Sequence, residues 1–564
     1  MPTIEPHPML GRFLPRIDFD SYEDFIENYQ VVIPERFNFA YDVIDEWARI
    51  DPEKPALVWV NERDEEKRFT FAEMKCWSDK AASMLKSLGL GKGDTVMLML
   101  KQRPEVWFFM LGLHKLGGIV IPATYQLTAK DIVYRVKAAD VKMICAADDP
   151  EVVRHVNEAM GELDEPLLLS ILGDDIPDGW RSLRRDLDGA DENWVRPTGA
   201  EGTTNSDPML IYFSSGTTGM PKMILHDFDY PIGHIITAHY WQRVEDGGLH
   251  LTMADSGWAK FGWGKIYGQW ICGAVMVAYD TDKFTPAHLI KTMEHLKLTT
   301  FCAPPTVYRF LIQEDLAKHD FSSIRHAGTA GEPLNPEVYN RFHAATGLHI
   351  HEGFGQSETN VILANFQWFP VKPGSTGKPS PLVALDIVDE NGESCEDGIV
   401  GTIVIKNTDK FHPPGLFREY YRDADAMAKS WTNGVYSTGD TAWRDADGYI
   451  WFVGRNDDVI KCSGYRIGPF EVESALLTHP SVVECAITAV PDAVRGQVVK
   501  ATVVLTKGTA GSDALKKELQ DHVKKVTAPY KYPRVVDFVS ELPKTTSGKI
   551  RRTEIRSRDA EKGE

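Results

Sequence analysis

The apolar positions fall into short runs separated by amphipathic stretches, and this alternation sets the expected fold. Thr95–Leu100, Ile119–Ile121 and Val141–Cys145 are nearly unbroken apolar runs of strand length. Between them lie a helix opened by Pro104 and closed by Gly117-Gly118, and another near 129–138. Met209–Phe213 is a further buried strand behind a polar loop at 201–208. A second strand–helix series runs from His250 to about His349. Such alternation predicts parallel sheets covered by helices. From Gly377 the pattern shortens: strands at Ala384–Asp389 and Gly401–Lys406 flank an Asn391-Gly392 hairpin turn, predicting a smaller β subdomain.

A boundary is expected near Arg455–Asp458, beyond which about 107 residues carry their own pattern, enough for a second domain. The expected fold is α/β, with a large N-terminal domain over 1–455 and a small α+β domain over 456–564. Residues 1 to about 50, acidic and aromatic, read as a surface-wrapping extension. The charged tail after Arg551 is expected to fray.

At 564 residues the chain exceeds a single core. A net charge of −19 argues against nucleic acid as a partner, so any anionic ligand must be met by local cations. The seven cysteines are scattered with no C-x-x-C pair, predicting reduced thiols in a cytosolic protein. The N-terminus does not read as a signal peptide, and the longest apolar run, Trp270–Tyr279, is too short to span a bilayer. A cytoplasmic protein is expected.

The strand at Met209–Phe213 runs into Ser214-Ser-Gly-Thr-Thr-Gly-Met-Pro-Lys222. Gly216 and Gly219 permit close backbone approach. The hydroxyls of Ser214, Ser215, Thr217 and Thr218, with free N–H groups, can wrap phosphate oxygens. Lys222 adds a mobile point charge. The stretch does not fit a Walker loop. Alone it predicts a phosphate loop.

Further polar, glycine-containing stretches follow at Gly331-Glu332-Pro333, His351–Thr359, Tyr436–Asp440, Gly454–Asp458, Cys462–Gly468 and Pro543–Lys549. In order and spacing they resemble the AMP-forming acyl-CoA synthetases of the adenylate-forming superfamily, from about residue 40 to 552. Ser463–Glu473, Val494–Gly496 and Thr527–Arg534 resemble the medium-chain members.

The resemblance implies ATP-dependent ligation of a carboxylic acid to coenzyme A through an acyl-adenylate, releasing AMP and pyrophosphate. It assigns the ATP phosphates to Ser214–Lys222, magnesium to Glu358 and the ribose to Asp440 with Arg455. The nucleotide walls fall to Gly331, Glu332 and Pro333, and to Glu352, Gly353, Phe354, Gly355, Gln356 and Ser357. Lys549, with Lys222 and Glu358, is the implied catalytic set, Lys549 bridging the acid and α-phosphate oxygens.

The small domain is implied to be mobile about a hinge at Asp457, bringing Lys549 and the coenzyme A loop to the site in turn. Ser463, Gly464 and Tyr465 would line the pantetheine path. Arg466, Arg495, Lys524 and Arg534 would meet the coenzyme's phosphates. Trp258, Lys260, Trp263 and Gly355 form the implied acyl pocket. Acetate-specific relatives place a tryptophan at the position of Gly355, so glycine is expected to remove that wall and admit a medium-chain, branched or cyclic acid. Lys260 either pairs with the substrate carboxylate or points outward. The alternatives are an acetyl- or propionyl-CoA synthetase, a ligase serving a carrier protein, and a silent nucleotide-binding relative. The implied partners are small molecules: acid, ATP and coenzyme A. An acetyltransferase and a deacetylase are candidates to act on Lys549, and a homo-oligomer is a candidate assembly.

Overall fold

Strands that are apolar along their whole length must be covered on both faces, and these are. The computed structural model describes residues 7–214, 220–462, 465–492, 495–545 and 549–562. In it Thr95–Met99, Ile119–Pro122 and Val141–Ala146 lie parallel at the centre of a sheet of eight described strands. Pro208–Phe213 joins this sheet in parallel, and Met223–Asp227 returns antiparallel beside it. A second sheet of nine described strands has Leu249–Thr252, Thr300–Cys302, His326–Ala330 and Ile350–Phe354 in parallel.

The helices start and stop where the punctuation places them. Glu105–Leu116 is capped by Pro104 and ends at Gly117, whose φ of 78° suits glycine. It packs closely on Phe71–Ser87, for a Cβ on Gly112 would lie 2.6 Å from that of Ala81.

The change of character at Gly377 is real. Ala384–Val388 and Gly401–Lys406 pair antiparallel around the expected turn, and Val435–Arg444 and Ile450–Arg455 extend the sheet. From Ile460 onward a separate sheet of five described strands packs against Pro469–Leu477 and Asp513–Val526. Its own core is built on Ile460, Val472, Leu476, Val499 and Leu519.

Two expectations fail at the chain ends. The N-terminal segment is not a surface wrap: Met9, Phe13, Phe25, Phe37, Phe39 and Trp47 are buried in the main core. Phe25 packs against Tyr240 and Trp368 with ring centroids 4.6 Å away in each case. The Tyr22 hydroxyl donates to the Pro379 carbonyl at 2.8 Å. Burying large aromatic surfaces outweighs the acidic residues, which stay at the surface. Nor does the tail simply fray. Arg552–Lys562 is a helix that buries Ile555 against Leu542 and Ala486 and pairs Asp559 with Lys500 at 2.7 Å.

Candidate active site

Parallel strands present their carboxyl ends on one side, where a ligand crevice forms. His326–Ala330 and Ile350–Phe354 are adjacent and parallel, so their ends deliver 331–334 and 355–359 together. Gly331 has a φ of 103°, and a Cβ there would meet nothing within 4 Å, leaving open space beside it. Glu352 is buried behind this loop, and its carboxylate accepts the Leu334 N–H at 3.2 Å. Burial pushes its pKa up to about 8. Glu332 takes the Thr306 hydroxyl at 2.7 Å and lies 3.7 Å from Arg309.

The β subdomain adds the polar centre. Asp440 and Arg455 are direct cross-strand partners, which sets Arg455 Nη1 3.7 Å from Asp440 Oδ1. Gln356 Nε2 donates to Asp440 Oδ2 at 2.6 Å and to the Thr438 carbonyl at 2.8 Å, while its Oε1 accepts the Tyr436 hydroxyl at 2.8 Å. Burial raises the Asp440 pKa to about 6, against the lowering pull of Arg455, Gln356 and Lys549. Lys549 is exposed on a small-domain hairpin, yet its ammonium also acts on buried Lys260. Lys549 thus lies within electrostatic range of Asp440 and Lys260.

Glu358 accepts the Tyr420 hydroxyl at 2.9 Å, and Lys222 Nζ lies over the Tyr420 ring at 4.4 Å. Tyr420 and Tyr436 thus contact three expected site residues, Glu358, Lys222 and Gln356; Tyr420 was not singled out in the sequence, and Tyr436 opened a motif there without a role of its own. The only local signal was aromatic residues beside glycine- and charge-rich stretches. Ser214 N–H donates to the Lys222 carbonyl at 3.0 Å, closing the phosphate stretch. Ser215, Gly216, Thr217, Thr218 and Gly219 lie outside the described residues, as do Ser463 and Gly464. Ser357 contributes its carbonyl, which accepts from His226 Nε2 at 2.7 Å. Phe354 packs on Phe452.

The acyl side departs from the open wall expected at Gly355. A Cβ there would lie 2.5 Å from Trp263 Cη2 and 2.2 Å from the Asn360 carbonyl oxygen. A Cβ on Gly353 would likewise meet Trp241 at 2.5 Å. Gly353 in the strand and Gly355 just past its end therefore seat two tryptophans, and Trp263 fills the space that residue 355 leaves. Trp258 caps the short helix Ala259–Gly264. Lys260 points inward, its ammonium donating to the Ala330 carbonyl at 2.7 Å, and burial lowers its pKa.

On the small domain Tyr465 stacks on Tyr530 at 4.1 Å. Lys524 and Arg534 flank the Tyr532 ring at 4.3 and 4.8 Å, an aromatic bracket the sequence reading missed. Lys524 also pairs with Asp521, and Arg495 lies 3.8 Å from Asp492. Arg466 stands opposite Lys461 in the hairpin after Ile460. Asp457 is 3.9 Å from Arg455.

These residues gather in one polar crevice at the strand ends, and comparison with known proteins shows the family to which the chain belongs. The AMP-binding enzyme family matches residues 44–421, and the AMP-binding enzyme C-terminal domain matches 471–549. The mouse (Mus musculus) acyl-coenzyme A synthetase ACSM3, mitochondrial, is 39% identical over 551 residues, covering 96% of this chain and 94% of its own. The human (Homo sapiens) acyl-coenzyme A synthetase ACSM4, mitochondrial, is 42% identical, covering 93% and 91%. Among solved structures, the anthranilate CoA ligase AuaEII in complex with anthranoyl-AMP superposes with a TM-score of 0.85 at 27% identity, covering 94% of this chain and 99% of that one. A benzoate CoA ligase from Burkholderia xenovorans LB400 gives 0.79 at 25%, covering 92% and 100%.

The chain belongs to the AMP-binding enzyme family. Within it the protein is an acid–thiol ligase that forms acyl-CoA by way of an acyl-adenylate. The cytoplasmic placement expected from composition is overturned, because the curated relatives it matches are mitochondrial enzymes. Reduced cysteines and an ordinary globular composition suit both compartments, so those signals could not separate them. No described helix is long and apolar enough to cross a membrane.

Proposed function

We propose that the residues gathered in this crevice divide the work as follows. ATP enters with its ribose hydroxyls on Asp440, which can accept from both, and with Arg455 alongside. Adenine lies against 331–333 and the 352–357 stretch. Ser214–Lys222 receives the β- and γ-phosphates. Glu358 offers a hard oxygen donor beside Lys222, the ligand type magnesium takes together with phosphate oxygens. Lys549 bridges the acid carboxylate and the α-phosphate, neutralising charge that builds as the carboxylate attacks phosphorus. The unit from 456 onward then turns at Asp457, so that Tyr465, Arg466, Arg495, Lys524 and Arg534 bring coenzyme A to the acyl carbonyl. The observation that carries this reading is Lys549 lying within electrostatic reach of both Asp440 and Lys260.

The acid has more than two carbons and is medium-chain, branched or cyclic. Compact branched or cyclic acids rank ahead of extended ones, because Trp263 occupies the space beside Gly355. The same ring favours acetate or propionate as the second reading. Acetylation of Lys549, which removes its charge, would silence adenylation and leave thioester formation from supplied acyl-adenylate intact. The test is AMP release with ATP, magnesium and coenzyme A across acids from acetate to decanoate, with branched, cyclic and aromatic acids included. A maximum on branched or cyclic acids supports the reading. Turnover of acetate alone establishes the second, and activity only with a carrier protein rejects both.

A further inference from the structure

Lys549 stands on one arm of a hairpin whose base is pinned at both sides. Thr545 N–H donates to the Lys549 carbonyl at 2.7 Å, and Arg551 N–H to the Pro543 carbonyl at 2.8 Å. On the incoming arm Lys544 Nζ reaches the two Glu484 oxygens at 2.7 and 2.8 Å. On the outgoing arm Arg552 Nη2 donates to both Glu473 oxygens, at 2.7 and 2.9 Å. Glu473 in turn accepts the Ile487 N–H at 2.9 Å, which locks it to the small-domain sheet. Arg552 Nη1 also lies 3.7 Å from Asp458, and Arg556 Nη1 holds the other Asp458 oxygen at 2.5 Å. Asp458 immediately follows the expected hinge at Asp457. The carboxylates are nearly buried, with side chains 9% exposed at Glu473 and 10% at Asp458.

Buried ion pairs seldom repay their desolvation in stability, whereas they fix geometry well. Lys549 must meet two oxygens within a few tenths of an ångström from a Thr-Thr-Ser-Gly approach. We propose that Arg552, through Glu473 and Asp458, is a positioning residue for adenylation. It ties the base of the Lys549 hairpin to the segment that follows the hinge, so docking of the small domain delivers Lys549 in register. The proposal rests on the reading of Lys549 given above.

Two half-reactions separate this role from a merely structural one. Acid-dependent ATP–pyrophosphate exchange reports adenylation, and thioester formation from supplied acyl-adenylate reports the other state of the same domain. Arg552→Lys keeps the charge and loses the planar fork. Its exchange kcat should fall about tenfold, equal to about 1.4 kcal/mol, with KM for ATP unchanged and thioester formation within about twofold of wild type. Glu473→Gln, which keeps an acceptor for Ile487, should show the same split and serves if Arg552→Lys folds poorly. Equal loss in both half-reactions, or unchanged exchange, overturns the proposal. Lys549→Ala with exchange intact would instead refute the role of Lys549 itself, an outcome distinguishable from either.

Discussion

Asp440→Asn should make the ligand-free enzyme more stable and the working enzyme worse. The carboxyl is buried and its pKa is raised from 3.8 to about 6, so holding the charge at neutral pH costs about 3 kcal/mol. Because the folded state binds this proton more tightly, its contribution to stability is fullest below the unfolded value and is lost as pH rises through about 6. The asparagine carries no such penalty and can still accept from Gln356 through its carbonyl oxygen. The pull of Arg455 is already contained in that pKa, and it is small because that side chain is 45% exposed and 3.7 Å away. The variant should therefore gain about 3 kcal/mol at pH 7.5. The gain should roughly halve by pH 5, where the folded carboxyl is protonated but the unfolded one is still ionised, and should vanish only below the unfolded value of 3.8. Thermal melts of both proteins at the two pH values measure this, and KM for ATP should rise about tenfold or more as the ribose acceptor weakens. A lower melting temperature at pH 7.5, or a gap that does not narrow on acidification, would refute the electrostatic argument. An unchanged KM would remove Asp440 from the ribose.

Two further substitutions probe other walls of the crevice. Trp263→Ala should cost about 3–5 kcal/mol of stability and raise kcat/KM for octanoate relative to isobutyrate at least tenfold. No change in that ratio would mean the ring does not bound the acyl site. Glu352, its pKa raised from 4.5 to about 8, keeps its proton at neutral pH, so the wild type loses stability as pH rises from about 4.5 to about 8 and levels off above that. Glu352→Gln, which can still accept from Leu334, should flatten that fall in melting temperature between about pH 5 and 8.

Much of the fold was legible because strands buried on both faces leave unbroken apolar runs, as at Thr95–Met99 and Pro208–Phe213. The polar centre was legible through short motifs, each supplying one backbone and one side-chain requirement, such as Asp440 opposite Arg455. What escaped depends on distant pairings. Nothing local to Gly355 says that Trp263 fills its missing side chain, and nothing in the aromatic N-terminal segment says that Tyr240 and Trp368 await it. Tyr420 could not be tied to Glu358 without strand pairing at Glu419–Tyr420. Arg551 and Arg552 look alike as charges in a basic tail, yet Arg552 alone of the two reaches Glu473.

The burial of the N-terminal segment also has a consequence for synthesis. Tyr22 and its acceptor Pro379 are 357 residues apart, and Trp368, which packs on Phe25, donates to the carbonyl of Phe19 across 349. At about 5–20 residues per second, the ribosome needs roughly 20–70 s to deliver both sides of these contacts. Throughout that interval a stretch rich in phenylalanine and tyrosine lacks the part of its native cover that Trp368 and Pro379 supply. Contacts of such long range also close slowly once the chain is complete. These aromatics, made hundreds of residues ahead of their partners, are among the last side chains to be fully buried.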